Sequence, residues 1–283
     1  GEQLWASGKV AEAMVVFQGI VKQLGGAPSF KRATTLGRIG RCYSTGGRPD
    51  LAVLAADEGI AECEQLEQTD TVKRQLGLLL TDKADGLQEQ GKYAEARKVY
   101  EDSLKVSAEL KDLRGQGVTH GQLGMLAMQE GNLKEAADRY QEALTLFRRL
   151  GEPAAEAVAW HQLGMVFQKA KMWDEAERHY RESARIEEEL GHMVGAARTW
   201  NQLAIVNEMT GKLDSAEMWY RKELEVDRLG GNAADIAIDL SNLAGVLLGQ
   251  RGRLAEARTL AEEALRMNRT LDPGAAEIWK TCS

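Results

Sequence analysis

Apolar residues recur along this chain three and four positions apart, with charged and amide residues between them, over stretches of about sixteen residues. That spacing predicts amphipathic α-helices, because residues one helical turn apart share a face. The pattern also repeats. "HGQLGMLA" from His120, "WHQLGMVF" from Trp160, "WNQLAIVN" from Trp200 and "LSNLAGVL" from Leu240 are successive versions of one phrase, forty residues apart. With Leu123, Leu163, Leu203 and Leu243 in one column, Ala136, Ala176 and Ala216 form a second, and Ala257 joins it after one inserted residue. Tyr140, Tyr180 and Tyr220 follow those alanines by one turn, and Ala96 with Tyr100 continues the register backwards. Related stretches around Ala52 and Ala13 bring the number of copies to about seven.

Glycine divides each copy into two helices, here called A and B. Gly8, Gly47, Gly91, Gly131, Gly211 and Gly252 mark the A-to-B turn, and the fifth copy has Lys171 there, which either strains the turn or reshapes it. Gly25, Gly26, Gly151, Gly191, Gly230 and Gly231 separate one copy from the next, while Pro28, Pro49, Pro153 and Pro273 stand near helix starts, where a missing N–H costs nothing. The expected copies are approximately 1–25, 26–67, 68–111, 112–151, 152–191, 192–231 and 232–272, with 273–283 beginning a further helix. The whole reads as one array, 1–283, cut from a longer protein.

The combination of a large residue, Leu-Gly or Leu-Ala, a turn glycine, then alanine with an aromatic on helix B resembles the tetratricopeptide repeat. "WHQLGMVFQKAKMWDEAERHYRESA" (160–184) carries it best, through Trp160, Leu163, Gly164, Phe167, Ala176 and Tyr180. The forty-residue period is similar to the long-helix variety of kinesin light chains, Pins-type adaptors and sensor regions of bacterial regulatory ATPases. The resemblance implies an all-α, right-handed superhelical solenoid of about seven helix-turn-helix units, with an inner wall of A helices where partners sit.

Composition changes this picture little. Hydrophobic residues make up 43% and charged residues 28% of 283, enough to fold and stay ordered. Thirty-six basic against 43 acidic residues give a net charge of −7, which disfavours nucleic acid and anionic lipid as partners. The longest apolar run, "LGLLL" at 76–80, is far short of a membrane span. Three scattered cysteines, Cys42, Cys63 and Cys282, suit a reducing, cytoplasmic compartment, and Cys42 and Cys63 are expected to be separate thiols.

Chemistry is hard to find. His120, His161, His179 and His192 lie in different copies or on different helices without ligand spacing, so packing or surface roles are expected, with no metal, no cofactor and no catalytic residue. "LGRIGRC" at 36–42 and "SGK" at 7–9 complete no phosphate loop. Glu62, Glu64 and Glu67, and the run Glu187, Glu188 and Glu189, read as solvated helix ends.

Two columns of helix A are informative. Just before the packing leucine stand Arg38, Asp82, Gln122, Gln162, Gln202 and Asn242, and three positions further come Arg41, Asp85, Met125, Met165, Ile205 and Gly245. Arg38 and Arg41 should pair with Asp82 and Asp85 across adjacent copies, a free anion site being the alternative. From copy four onward, amides run beside apolar side chains, an arrangement that can hold an extended peptide, although helix propensity and packing alone also favour Gln and Met. Chaperone-binding members of the family use lysine in such positions, and these columns have none.

The expected function is a non-enzymatic interaction scaffold, the recognition arm of a larger regulatory protein, with a protein or peptide partner and self-association left open. Two rivals remain: a substrate-recruiting arm of an enzyme such as a protease, and a peptide-pheromone receptor.

Overall fold

A computed structural model describes residues 1–271, and these are helical apart from short turns. The helices are α1 (Glu2–Ala6), α2 (Val10–Leu24), α3 (Phe30–Thr45), α4 (Pro49–Glu64), α5 (Asp70–Glu89), α6 (Tyr93–Glu109), α7 (Leu113–Gln129), α8 (Leu133–Leu150), α9 (Pro153–Lys169), α10 (Trp173–Glu189), α11 (Met193–Met209), α12 (Leu213–Gly230), α13 (Ala233–Leu248) and α14 (Leu254–Leu271). They form an all-α solenoid of helix pairs, and no strand occurs among the described residues. The expected helix after 272, with Pro273 and Cys282, lies outside the described residues. No described helix is long and apolar enough to cross a membrane.

The helices gather into two compact units, Gly1–Glu152 and the stretch from Pro153 onward. In the first, α1 to α8 each pack against the next helix in the chain, and α3 also meets α5, and α5 meets α7. In the second, α9 to α14 pack in the same consecutive order.

The repeated columns make these pairs. In α9 and α10, Leu163 and Val166 on one helix and Ala176 and Tyr180 on the other are almost fully buried, and Gly164 lies against the Tyr180 ring. Alanine and glycine let the axes approach while leucine and tyrosine fill the space that remains. Ala196, Trp200, Leu203, Ala216, Tyr220, Leu240, Leu243 and Ala257 carry the same core through the second unit. In the first unit smaller clusters lie around Phe17 and Ile39, around Cys63 and Leu79, and around Tyr100 and Leu123.

Turns follow the glycine column: Gly8, Gly47, Gly91, Gly131, Gly211 and Gly252 all have φ between 69° and 81°. Lys171 takes the same left-handed conformation at φ 58°, so the fifth turn keeps its shape and carries the strain of a side chain there. Helix starts with a suitable side chain are capped: Ser29 accepts from the Arg32 amide at 3.2 Å, Thr69 from Val72 at 3.3 Å, and Asp112 from Gly115 at 3.0 Å.

Two acidic residues depart from the sequence expectation. Glu62 is buried, accepting from the Ser29 amide at 3.1 Å and pairing with Arg32 at 3.0 Å, and Glu187 is buried against Gly195 with His192 Nδ1 3.3 Å away. Both sit in the last turn of a B helix, where the start of the next A helix covers them. The cysteines Cys42 and Cys63 are free and buried, and burial pushes the Cys63 thiol up to about 11, away from reactivity.

Candidate functional site

In the first unit the helix-A columns are occupied by one another. Arg41 Nε lies 3.3 Å from Asp82 Oδ2, the expected cross-copy pair. Arg38 turns instead to Glu2, with its guanidinium 6.0 Å from the Phe17 ring centre, so it does not reach Asp85. Asp85 accepts from the Tyr100 hydroxyl and from Gln122 Nε2, the latter at 3.0 Å. Tyr100 itself is buried at the α5–α6 interface, which draws the Asp85 carboxylate inward. Met125 remains exposed.

Burial pushes both carboxyls up to about 6, against the pull of Arg41 on Asp82 and of the Tyr100 hydroxyl on Asp85; Asp82 and Glu89 push Asp85 further the same way. An acid whose pKa is raised by folding contributes stability that is complete below its unfolded value near 3.8 and is lost as pH rises through about 6. These two carboxyls should therefore lower the first unit's melting temperature between pH 5 and pH 7, against the opposite contribution of His120, whose pKa burial lowers. For each carboxyl the change is about 1.3 kcal/mol over that range. The Asp82→Asn, Asp85→Asn double variant should lose this part of the slope; an undiminished slope in thermal melts would put its source elsewhere.

A hollow of about 490 Å³ lies among α5, α6 and α7, with Leu78, Val106 and Val118 in its lining. Its rim cations are already neutralised, Arg74 by Asp112 at 3.4 Å and Arg114 by Glu152 at 3.1 Å.

The second unit differs. Gln162 on α9, Gln202 on α11 and Asn242 on α13 are half-buried, and none of the three makes a side-chain hydrogen bond among the described residues. Met165 is exposed like Met125, both at 38%, whereas Ile205 packs against the core and Gly245 leaves open space. Next to these amides, His161 Nδ1 and Thr199 Oγ1 are 2.9 Å apart, linking α9 to α11. His161 packs edge-on to Tyr180 at 5.3 Å, and burial pushes its pKa down to about 4, so it stays neutral and structural. His179 is likewise buried, between Trp160 and Phe167.

A group that the sequence columns did not single out stands at α12 and α13. Carboxylate oxygens of Glu223, Asp227 and Asp239 lie within 4.8 Å of one another. Burial pushes Glu223 up to about 7, opposed by a hydrogen bond from Asn201 Nδ2 at 2.9 Å, and it pushes Asp239 up to about 8, reinforced by Glu223, Asp227 and Asp235. The one available sequence signal was weak: two acids four apart on a B helix, then a third at a core-facing position of the next A helix.

The family model described as tetratricopeptide repeat matches residues 75–149, 115–189, 155–228 and 195–270, together more than half of the chain. No curated protein matches the sequence. Among solved structures, BtubC (BKLC) from P. vanneervenii is similar with a TM-score of 0.71 at 20% identity, over 79% of this chain and 92% of that one. The Signal Transduction ATPase with Numerous Domains protein PH0952 from Pyrococcus horikoshii, which has a tetratricopeptide repeat sensor, superposes with a TM-score of 0.74 at 16% identity. That match covers 97% of this chain but 43% of the larger one. The apo form of RapI matches with a TM-score of 0.68 at 13% identity, over 97% of both chains. At these identities the likeness is one of fold.

Proposed function

The chain belongs to the tetratricopeptide repeat family, a fold of protein-interaction scaffolds, and from that premise we propose that its second unit binds an extended segment of a partner protein without catalysing a reaction on it. One observation carries the reading: Gln162, Gln202 and Asn242 hold equivalent places on successive A helices, half-buried and with no internal hydrogen-bond partner among the described residues. A side-chain amide offers both a donor and an acceptor, so a row of them can serve the N–H and C=O groups of an extended backbone. Met165 beside the row adds an apolar contact that adapts to different side chains. In the first unit the corresponding amide, Gln122, is engaged by Asp85.

The larger context we propose is that of a recognition arm in a regulatory protein. It is supported by the fold likeness to a signal-transduction ATPase of which the matched part is less than half.

The test is to select binders from a peptide library displayed on phage, then titrate the selected peptides against the parent and the Gln162→Ala, Gln202→Ala double variant. Each lost amide bond is worth roughly 0.5–1.5 kcal/mol net, so the double variant should bind about tenfold or more weakly. Its melting temperature should match the parent's, since neither amide supports a neighbour. Undiminished affinity would move the binding surface to another face of the helices.

A further inference from the structure

Several carboxylates in the second unit are met by basic side chains of their own helix and of a neighbouring one. Glu217 on α12 has Arg253 at 3.0 Å and Arg221 at 2.8 Å, and Glu177 on α10 has Lys212 at 2.8 Å and Arg181 at 2.6 Å. Glu188 has Lys222 at 2.8 Å.

The group at α12 and α13 breaks that habit. Glu223 and Asp227 are one turn apart on α12, and Asp239 faces them from α13. Glu223 is 7% exposed and Asp239 2%, while Asp227 is half-buried and opens the cluster on one side. Among the described residues none of the three forms an ion pair; Arg228, next to Asp227, reaches Glu263 at 3.3 Å instead. Asp235, a fourth acid, adds its charge nearby. Among the described residues the only hydrogen bond from outside the cluster is the neutral one from Asn201 to Glu223. Asp239 Oδ2 is buried and receives no hydrogen bond at all.

Uncompensated carboxylates out of water are costly, so such a group either holds a proton or is completed by something positive. The geometry says what that would be. Three oxygens no more than 4.8 Å apart surround a point within about 2.8 Å of each, close to the 2.3–2.6 Å of calcium–oxygen bonds. The donors are all oxygen, with no imidazole or thiolate beside them, which selects hard cations over zinc or copper. A lysine side chain from a partner would have to bring its ammonium against two nearly inaccessible carboxyls, whereas an ion needs only the open side at Asp227.

We propose that Glu223, Asp227 and Asp239 form a binding site for a hard divalent cation of the calcium, manganese and magnesium class, which ties α12 to α13. Waters on the Asp227 side complete its coordination. The site tightens the junction between the sixth and seventh helix pairs, one turn from Asn242, and it stands independently of the peptide-binding reading.

The experiment removes metal from the whole chain with EDTA, exchanges it into chelator-free buffer at pH 7.5, and follows thermal unfolding while CaCl2, MnCl2 or MgCl2 is added to millimolar levels. At least one cation should raise the melting temperature of the parent by several degrees. Asp239→Asn and Glu223→Gln should abolish the rise, and both should melt without metal at or above the parent's temperature, because each thins a crowd of buried acids that repel one another. Electron paramagnetic resonance of added Mn2+ should count one bound ion per parent chain and none in the variants. The proposal is overturned if the parent responds to none of the three cations, or if the variants respond as strongly as the parent. It is equally overturned if the parent is stabilised only by acidification, which would mean that the carboxyls are completed by a shared proton.

Discussion

Truncation of Trp200 to alanine should cost the second unit roughly 3–5 kcal/mol, the range for a large aromatic removed from a core that cannot collapse around the gap. Trp200 is 1% exposed, and it sits in the middle of the cluster that runs from Ala176 to Ala264. Its indole Nε1 donates to Glu188 Oε1 at 2.9 Å, and Lys222 Nζ lies 4.3 Å from the ring centre and 2.8 Å from that same carboxylate. One side chain on α11 thus joins the end of α10 to α12 through apolar packing, a hydrogen bond and a cation over its face. Trp200→Phe keeps most of the buried area and leaves Glu188 paired with Lys222, so it should cost far less, about 1 kcal/mol for the lost hydrogen bond plus a small packing term. Guanidinium unfolding of the three proteins gives the order. Amide exchange should show α10, α11 and α12 losing protection together in Trp200→Ala, since in stacked repeats a defect acts on its nearest neighbours. Similar costs for the two variants would mean that the hydrogen bond, and not the buried ring, carries the residue's contribution.

Trp200 also illustrates what could be read in the sequence. Its column recurs every forty residues, and recurrence exposes packing positions because each copy must bury the same face against the same neighbour. Leu163, Leu203, Ala176 and Tyr180 are core residues for that reason, and the turn glycines have the left-handed backbone for which their column called. Even Lys171, the exception in the column, obeys the column's geometry and not its own preference.

Features that depend on one copy's departure from the pattern were less legible. Gln122 stands in the amide column, yet it is spent on Asp85, because Tyr100 and burial draw that carboxylate inward; nothing in the column itself distinguishes Gln122 from Gln162. Arg38 was grouped with Arg41, but the short helix α1 offers Glu2, and Arg38 takes it. Glu62 and Glu187 sit at helix ends, where acids are usually solvated, and only the start of the following helix covers them. Glu223, Asp227 and Asp239 belong to no repeating column at all, so the comparison of copies that revealed the fold was blind to them.

The tightest contact of the repeat should show up as a coupling that single variants conceal. A β-carbon built on Gly164 would stand 2.5 Å from Tyr180 Cδ1 and 2.6 Å from Cε1, well inside contact distance, and the ring is 0% exposed, with its hydroxyl held by Gln168. Gly164→Ala should therefore destabilise by roughly 1–3 kcal/mol through overpacking, even though alanine is favoured over glycine in a helix by about 1 kcal/mol. Tyr180→Ala should cost about 3–5 kcal/mol by leaving a cavity. With the ring gone, the steric reason for glycine goes too, so Gly164→Ala in the Tyr180→Ala background should be neutral or stabilising by up to about 1 kcal/mol. The two changes should then couple by about 1–4 kcal/mol. The equivalent pair Gly124 and Tyr140 approaches only to 2.9 Å, so Gly124→Ala should cost less than Gly164→Ala. In the next copy the position is already Ala204, buried in the same cluster as Tyr220, which shows that the repeat admits a methyl group at this place. Denaturant unfolding of the four proteins in the Gly164–Tyr180 cycle measures the coupling. Additive losses would mean that the ring yields to the methyl group at little cost, and that glycine at 164 is not required by this contact.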